Sequence, residues 1–189
     1  MRKVEICSLA DLRKWLTENC EQKESVWLVR WKKPHPSYVQ TTDIIDELLC
    51  FGWIDSLPRK LDDERTMLRI SPRNPKSAWS KVNKEKVAKL ADLGRMMPAG
   101  LVAVEAAKAS GLWSKLDEVD ALIEPDDLKR ALEAEQPTLE TWQAYPPSVR
   151  RGALEIVENA KLPTTRARKI AQILESARNG DRPFQWRKD

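Results

Sequence analysis

The chain has 189 residues, 41% of them hydrophobic and 33% charged, with a formal net charge of +4. That length suits one domain or a domain with a small appendage, and that apolar fraction excludes global disorder. Three cysteines (Cys7, Cys20 and Cys50), none in a C-x-x-C pair, exclude a disulfide framework; with a lone histidine, His35, they also exclude a structural zinc site.

The charge is unevenly placed. Residues 59–95 hold 11 basic and 5 acidic residues, and residues 161–189 hold 8 and 3. The segment between them, 96–160, holds 6 basic and 12 acidic residues. Such asymmetry permits anion or nucleic-acid binding without establishing it. The N-terminus MRKVEICSLADLRKW lacks the apolar stretch of a signal peptide. No run approaches the roughly 20 apolar residues of a membrane span. The expectation is a soluble cytoplasmic protein with no membrane insertion and no cofactor.

In chain order, Ser8 reads as an N-cap, and Leu9, Leu12, Trp15 and Leu16 follow at helical spacing, which predicts a helix over 9–19. The run SVWLVRWKK at 25–33 reads as a strand ended by Pro34 and Pro36, with HPSY as a loop. Thr41 or Thr42 opens a helix whose buried face is Ile44, Ile45, Leu48, Leu49 and Phe51, and Gly52 stops it. WIDSLPRKLDDERTMLRISPR then reads as two strands around a DDE turn, Trp53, Ile54 and Leu57 in the first and Met67, Leu68 and Ile70 in the second. Ser80 caps a helix with Val82, Val87 and Leu90 on one face and Gly94 beyond its end. Pro98 opens an Ala- and Val-rich helix, ended by Gly111, whose small side chains predict close packing.

Beyond an acidic connector at 113–124, the last third reads as three or four helices, with Pro125, Pro137, Pro146 and Pro163 in first turns and a frayed tail, DRPFQWRKD. The fold class predicted is α+β: a small N-terminal sheet with a β-hairpin flanked by helices, then an all-helical C-terminal part. The division predicted is an α+β domain over 1–112, the connector over 113–124 and a helical region over 125–189.

Several blocks carry a family resemblance. LCFGWIDS at 49–56, KLDDERTMLRISPRNPKSAWSKVNKEKV at 60–87 and GRMMPAGLVAVEAAK at 94–108 are similar to signature blocks of the YdeI/OmpD-associated (bacteriocin-protection) family. PDDLKRALEAEQP at 125–137 and RRGALEIVENAKLPTTRARKI at 150–170 resemble its C-terminal region. Ser56 departs from the glycine common after W-I-D in that family. The resemblance implies a part in bacterial stress tolerance and protection against bacteriocins or cationic peptides. It implies no catalytic residues.

One constellation has the chemistry of a ligand site: Trp53, Asp55, Arg73, Lys76, Ser77, Trp79, Ser80 and Asn83. Aromatic faces, cations and short polar donors are what fix an anionic or aromatic ligand, and Ser80 opens a helix whose free amides favour anions. The alternative is structural: Trp53 and Trp79 in the core, Asp55 paired with Arg73, Ser80 only a cap. Lys76, Lys81, Lys84, Lys86, Lys89 and Arg95 form a basic run next to Trp79, suited to a nucleic-acid backbone. Against that, Lys81, Lys84 and Lys86 cannot share one helical face, and Glu85 interrupts them. Arg166, Arg168, Lys169 and Arg178 lie on the last long helix, with Ile170, Ile173 and Leu174 as its buried face.

Asp62, Asp63 and Glu64 suit either a divalent cation or, as Asp-rich runs commonly do, a turn. His35 has no nucleophile context such as G-x-S-x-G, Cys50 lies on an apolar helix face, and no glycine-rich phosphate loop exists. The eight tryptophans, Trp15, Trp27, Trp31, Trp53, Trp79, Trp113, Trp142 and Trp186, divide between core and groove.

The function expected is a non-enzymatic protection protein that binds a small molecule or peptide in a Trp/Arg/Lys-lined cleft between the hairpin and the 80–93 helix. The alternatives are nucleic-acid association through the basic 76–95 segment, and an enzyme of unknown type using carboxylates and Ser or Lys in the same cleft.

Overall fold

The computed structural model describes residues 1–184, and the tail positions 185–189, Trp186 among them, lie outside the described residues. The chain divides into two units, Met1–Lys115 and Leu116–Asp189.

The first unit opens with a strand too short to show alternation in the sequence, β1 (Lys3–Glu5). Next comes α1 (Leu9–Asn19). The Ser8 hydroxyl accepts from the Asp11 amide at 3.1 Å, which satisfies one of the free amides of the first turn, and the Asp11 carboxylate accepts from the Cys7 amide at 2.9 Å, which fixes the chain ahead of the cap. Leu12 and Leu16 face the core.

Then β2 (Val26–Trp31) pairs parallel with β1, Lys3 opposite Trp27 and Glu5 opposite Val29. Helix α2 (Thr41–Cys50) buries Ile44, Leu48 and Leu49. It ends at Gly52, whose φ of +73° suits glycine. Strands β3 (Trp53–Lys60) and β4 (Arg65–Pro72) make the predicted hairpin. The Asp62 carboxylate closes its turn, accepting from the Glu64 amide at 3.0 Å and the Arg65 amide at 2.6 Å. The acidic triplet is therefore a turn, and among the described residues no group of His, Cys, Asp and Glu is arranged to hold a metal ion.

The sheet order is β1-β2-β4-β3, with β2/β4 and β3/β4 antiparallel. A register shift between Asp55 and Pro58 breaks the alternation of β3 and accommodates a proline, as an edge strand can. Leu57, placed with the apolar residues of this strand by the sequence, is instead exposed, because β3 buries only its first residue.

Helix α3 (Lys81–Asp92) is capped by Ser80 as predicted, its hydroxyl accepting from the Asn83 amide. Val87 and Leu90 are buried, but Val82 is 60% exposed: it sits in the first turn, off the buried stripe. Helix α4 (Pro98–Ala109) meets α2 almost backbone to backbone. A methyl group added at Gly100 would stand 2.2 Å from the Cys50 carbonyl oxygen. All four helices contribute to one apolar cluster with Val4, Val26, Leu28, Trp53, Leu68 and Ile70 of the sheet. That cluster is the core of the unit and lies on one face of the sheet.

The second unit is helical: α5 (Asp117–Asp120), α6 (Asp126–Glu133), α7 (Gln136–Ala144), α8 (Pro147–Glu158) and α9 (Pro163–Arg178). The stretch read as a connector thus holds a short helix. Pro163 opens α9 and Pro137 lies in the first turn of α7, whereas Pro125 and Pro146 stand at the N-caps, one residue ahead of their helices. Trp142, Leu128, Val157 and Ile173 form the buried centre. Around it, Arg166 is bidentate on Asp127 at 2.6 and 2.9 Å and Arg178 on Glu135 at 2.6 and 2.8 Å. These two arginines of the last helix are therefore tied to carboxylates of their own unit.

Candidate functional site

The predicted constellation disperses in space, and two of its members stay together. Arg73 follows β4 directly. Its amide donates to the Gly52 carbonyl at 2.9 Å, which fixes the chain as it leaves the sheet. Its guanidinium lies 3.8 Å above the centre of the Trp79 ring. One terminal nitrogen donates to the Ala78 carbonyl at 2.5 Å. The Nε atom is buried and makes no hydrogen bond, and no described carboxylate pairs with this cation. Burial alone pulls the guanidinium pKa down to about 10, which leaves it charged at neutral pH.

Trp79 is buried, its amide donating to the Leu112 carbonyl at 3.1 Å and its ring 5.1 Å from that of Trp113. Beside the Arg73–Trp79 pair is a cavity of about 50 Å³, lined by Arg73, Asn74, Pro75, Trp79 and Ala103, Ala106 and Ala107 of α4. That volume takes a few water-sized groups at most, and among the described residues Arg73 is the one charged side chain on its wall.

The other predicted residues have different work. Trp53 is fully buried, edge-on to Trp15 at 5.4 Å. Asp55 stands on β3 opposite Ile70 and forms no ion pair with Arg73. The Ser77 hydroxyl donates to the Asn74 carbonyl at 2.7 Å, and the Lys76 amide to the Asn74 side chain at 2.9 Å, so both shape the turn. Ser80 caps α3, and Asn83 answers it through its backbone. The cavity therefore lies between the 73–79 turn and α4, and not between the hairpin and α3. Sequence reading missed Asn74, Pro75 and the three alanines. The alanines do carry a signal: positions 103, 106 and 107 are the i, i+3, i+4 spacing of one helical face.

The basic run beside this site is partly neutralised. Lys86 is paired with Asp46, Arg95 donates to Glu47 at 2.6 Å, and Lys81 lies 4.0 Å from Glu85. Cys50 is buried, its thiol pushed up by burial and then by Glu47, which makes it a packing residue.

Two larger cavities, each of about 380 Å³, lie elsewhere. One is lined by Lys32, Lys33, Pro34, His35, Pro36, Asp63 and Glu64, where the loop after β2 meets the hairpin turn. There the His35 ring stacks on Trp31 at 3.8 Å, and its Nδ1 accepts from the Ser37 amide at 3.0 Å. The other, in the helical unit, has Glu124 and Arg150 on its wall. Burial pushes the Glu124 carboxyl up, but hydrogen bonds from Trp142 and Arg150 outweigh it and hold the group below the usual carboxylate range.

A family model described as a domain of unknown function (DUF8412) matches residues 4–103, more than half of the chain. The chain belongs to that family. The match spans the sheet, the hairpin and the Arg73–Trp79 turn, and it includes the blocks at 49–56 and 60–87 and most of the block at 94–108. Within this DUF8412 protein, residues 121–180 match a second model, described as bacteriocin-protection, YdeI or OmpD-associated. The predicted family is thereby found over the helical part alone, where the blocks at 125–137 and 150–170 lie; the blocks at 49–56, 60–87 and 94–108, predicted to be its signature, lie outside that match. No curated protein and no solved structure matches the chain. No helix among the described residues is long and apolar enough to cross a membrane.

Proposed function

We propose that this DUF8412 protein is a non-catalytic, cytoplasmic protection factor of the bacteriocin-protection type that captures the anionic group of a small molecule or peptide at Arg73. The observation that carries this reading is a half-buried guanidinium stacked on an aromatic ring, with no carboxylate partner among the described residues and a small cavity alongside. An unpaired, desolvated cation costs stability, and a site that tolerates one commonly does so for a ligand. The alanine wall admits the head group of a ligand while its remainder stays outside. The protective role comes from the second family match.

Arg73→Met should change stability by about 1 kcal/mol or less, since losing the cation–π contact and the hydrogen bond to the Ala78 carbonyl is offset by removing a desolvated charge. Thermal denaturation checks that. Cells lacking the protein and supplied with wild type should then regain survival under bacteriocin challenge, and cells supplied with Arg73→Met at equal abundance should not. Full protection by the variant would sink the reading.

A further inference from the structure

The four helices of the N-terminal unit place their buried side chains on one face of the sheet; Val29 and Met67 point the other way, outside that cluster, and are themselves buried, so the accessible part of this second face lies at its flanking residues. On this second face the register aligns Lys3, Trp27 and Arg69 in one row and Glu5, Val29, Met67 and Arg59 in the next. A third row sets Trp31 opposite Arg65, whose guanidinium lies 5.6 Å from the centre of the Trp31 ring, so the face that the Trp31–His35 stack offers a base is the outer face of His35. Directly opposed residues of paired strands share a face, so these side chains stand together.

We propose that this face binds single-stranded nucleic acid, bases stacking on Trp27 and on the Trp31–His35 pair while phosphates meet Lys3, Arg59 and Arg69. Three observations carry it. Trp27 and Trp31 are only partly buried, although the sheet's other face is packed with apolar side chains. They lie four residues apart on β2, about 13 Å along the strand, which is the reach of a few nucleotides.

The charge is complementary to phosphate and available. Glu5 and Asp62 are both engaged by Arg65, whereas Arg59 and Lys3 are exposed and Arg69 meets only the Ser25 hydroxyl. At the end of β2 lies the 380 Å³ cavity beside His35, whose wall carries Lys32 and Lys33 together with Asp63 and Glu64, so it adds no net positive charge and the phosphate contacts rest on Lys3, Arg59 and Arg69. Aromatic platforms flanked by cations are how single strands are held without sequence readout. This surface is separate from the basic 76–95 segment, where Lys86 and Arg95 are already paired.

The test is fluorescence anisotropy of the full chain with labelled mixed-sequence DNA and RNA strands of about a dozen nucleotides, and with the matching duplex. Binding of either single strand at low salt, with log affinity falling with a slope of about −2 against log salt, is the result expected for three phosphate contacts. The double variant Arg59→Ala/Arg69→Ala changes exposed residues only, so it keeps the fold. It should weaken binding about tenfold or more and flatten the slope. Trp27→Phe should weaken it less, since a smaller aromatic face remains. Lys76→Ala/Lys89→Ala should leave it unchanged. The proposal is overturned by no single-strand binding at low salt, by tighter binding to the duplex, or by an affinity that follows Lys76 and Lys89 in place of Arg59 and Arg69.

Discussion

Glu47→Ala should lower the unfolding free energy of the N-terminal unit by about 3 kcal/mol. Glu47 is only 1% exposed, on the core side of α2, and its two oxygens each accept from a different arginine: Arg13 of α1 at 2.6 Å and Arg95, ahead of α4, at 2.6 Å. Arg13 also reaches the Met97 sulfur and the Arg95 carbonyl and lies over the Phe51 ring. One carboxylate thus joins α1, α2 and the segment leading into α4. Breaking a buried pair costs about 3–5 kcal/mol because a charge is left uncompensated. The lower end applies here, since Arg13 and Arg95 keep more than a third of their side chains in water and can be rehydrated. Arg13→Met should cost less, about 1 kcal/mol, because Glu47 retains Arg95. Urea denaturation followed by tryptophan fluorescence distinguishes the two; equal losses would mean that the Arg13 pair carries the whole effect and the Arg95 pair none.

Gly100→Ala should cost about 3 kcal/mol or more, or prevent folding. The added carbon would meet the Cys50 carbonyl oxygen at 2.2 Å, its carbon at 2.7 Å and the Leu49 oxygen at 2.9 Å. All three are backbone atoms of α2, so no side-chain rotation relieves the clash. The same Cys50 carbonyl accepts from the Met97 amide at 3.0 Å, which fixes the α4 entry against it. Gly152, in α8, is the control: nothing lies within 4 Å of its added methyl. Gly152→Ala should therefore stabilise the helical unit by about 0.5–1 kcal/mol through helix propensity. Melting temperatures moving in opposite directions are the expected result. A benign Gly100→Ala would show that α2 and α4 separate more readily than their contact implies.

Much of the fold was legible because it is locally encoded. Ser8 and Ser80 cap helices where capping chemistry predicts, Asp62 makes the turn that an Asp-rich run favours, and the apolar spacing of α2 finds its core. The errors have local causes. Strand β1 is three residues long and owes its existence to pairing with β2. Val82 shares a predicted face with Val87 and Leu90 yet stands in the first turn of α3, turned to solvent, and Leu57, in the strand as predicted, is turned to solvent by the β3 irregularity. The candidate site was half legible. Arg73 and Trp79 meet because the five residues between them fold back, whereas Trp53, nearby in sequence terms and similar in chemistry, goes to the core. Ala103, Ala106 and Ala107 are silent in chemistry and contribute only their smallness. The second sheet face was hidden for the opposite reason: Lys3, Trp27, Arg59 and Arg69 come from four strands, and only the register assembles them.

The central claim, an anion site at Arg73, is tested most directly by thermal denaturation of wild type and Arg73→Met. The ligand series is small carboxylates, inorganic phosphate, and short peptides with free or amidated C-termini. A ligand binding only the folded state at about a hundred times its Kd adds about 2.7 kcal/mol of stability. The account predicts that at least one carboxylate or phosphate compound raises the melting temperature of wild type, that amidation abolishes a peptide's effect, and that Arg73→Met responds to none of them. A shift that persists in Arg73→Met, or no shift from any anion in wild type, would contradict it.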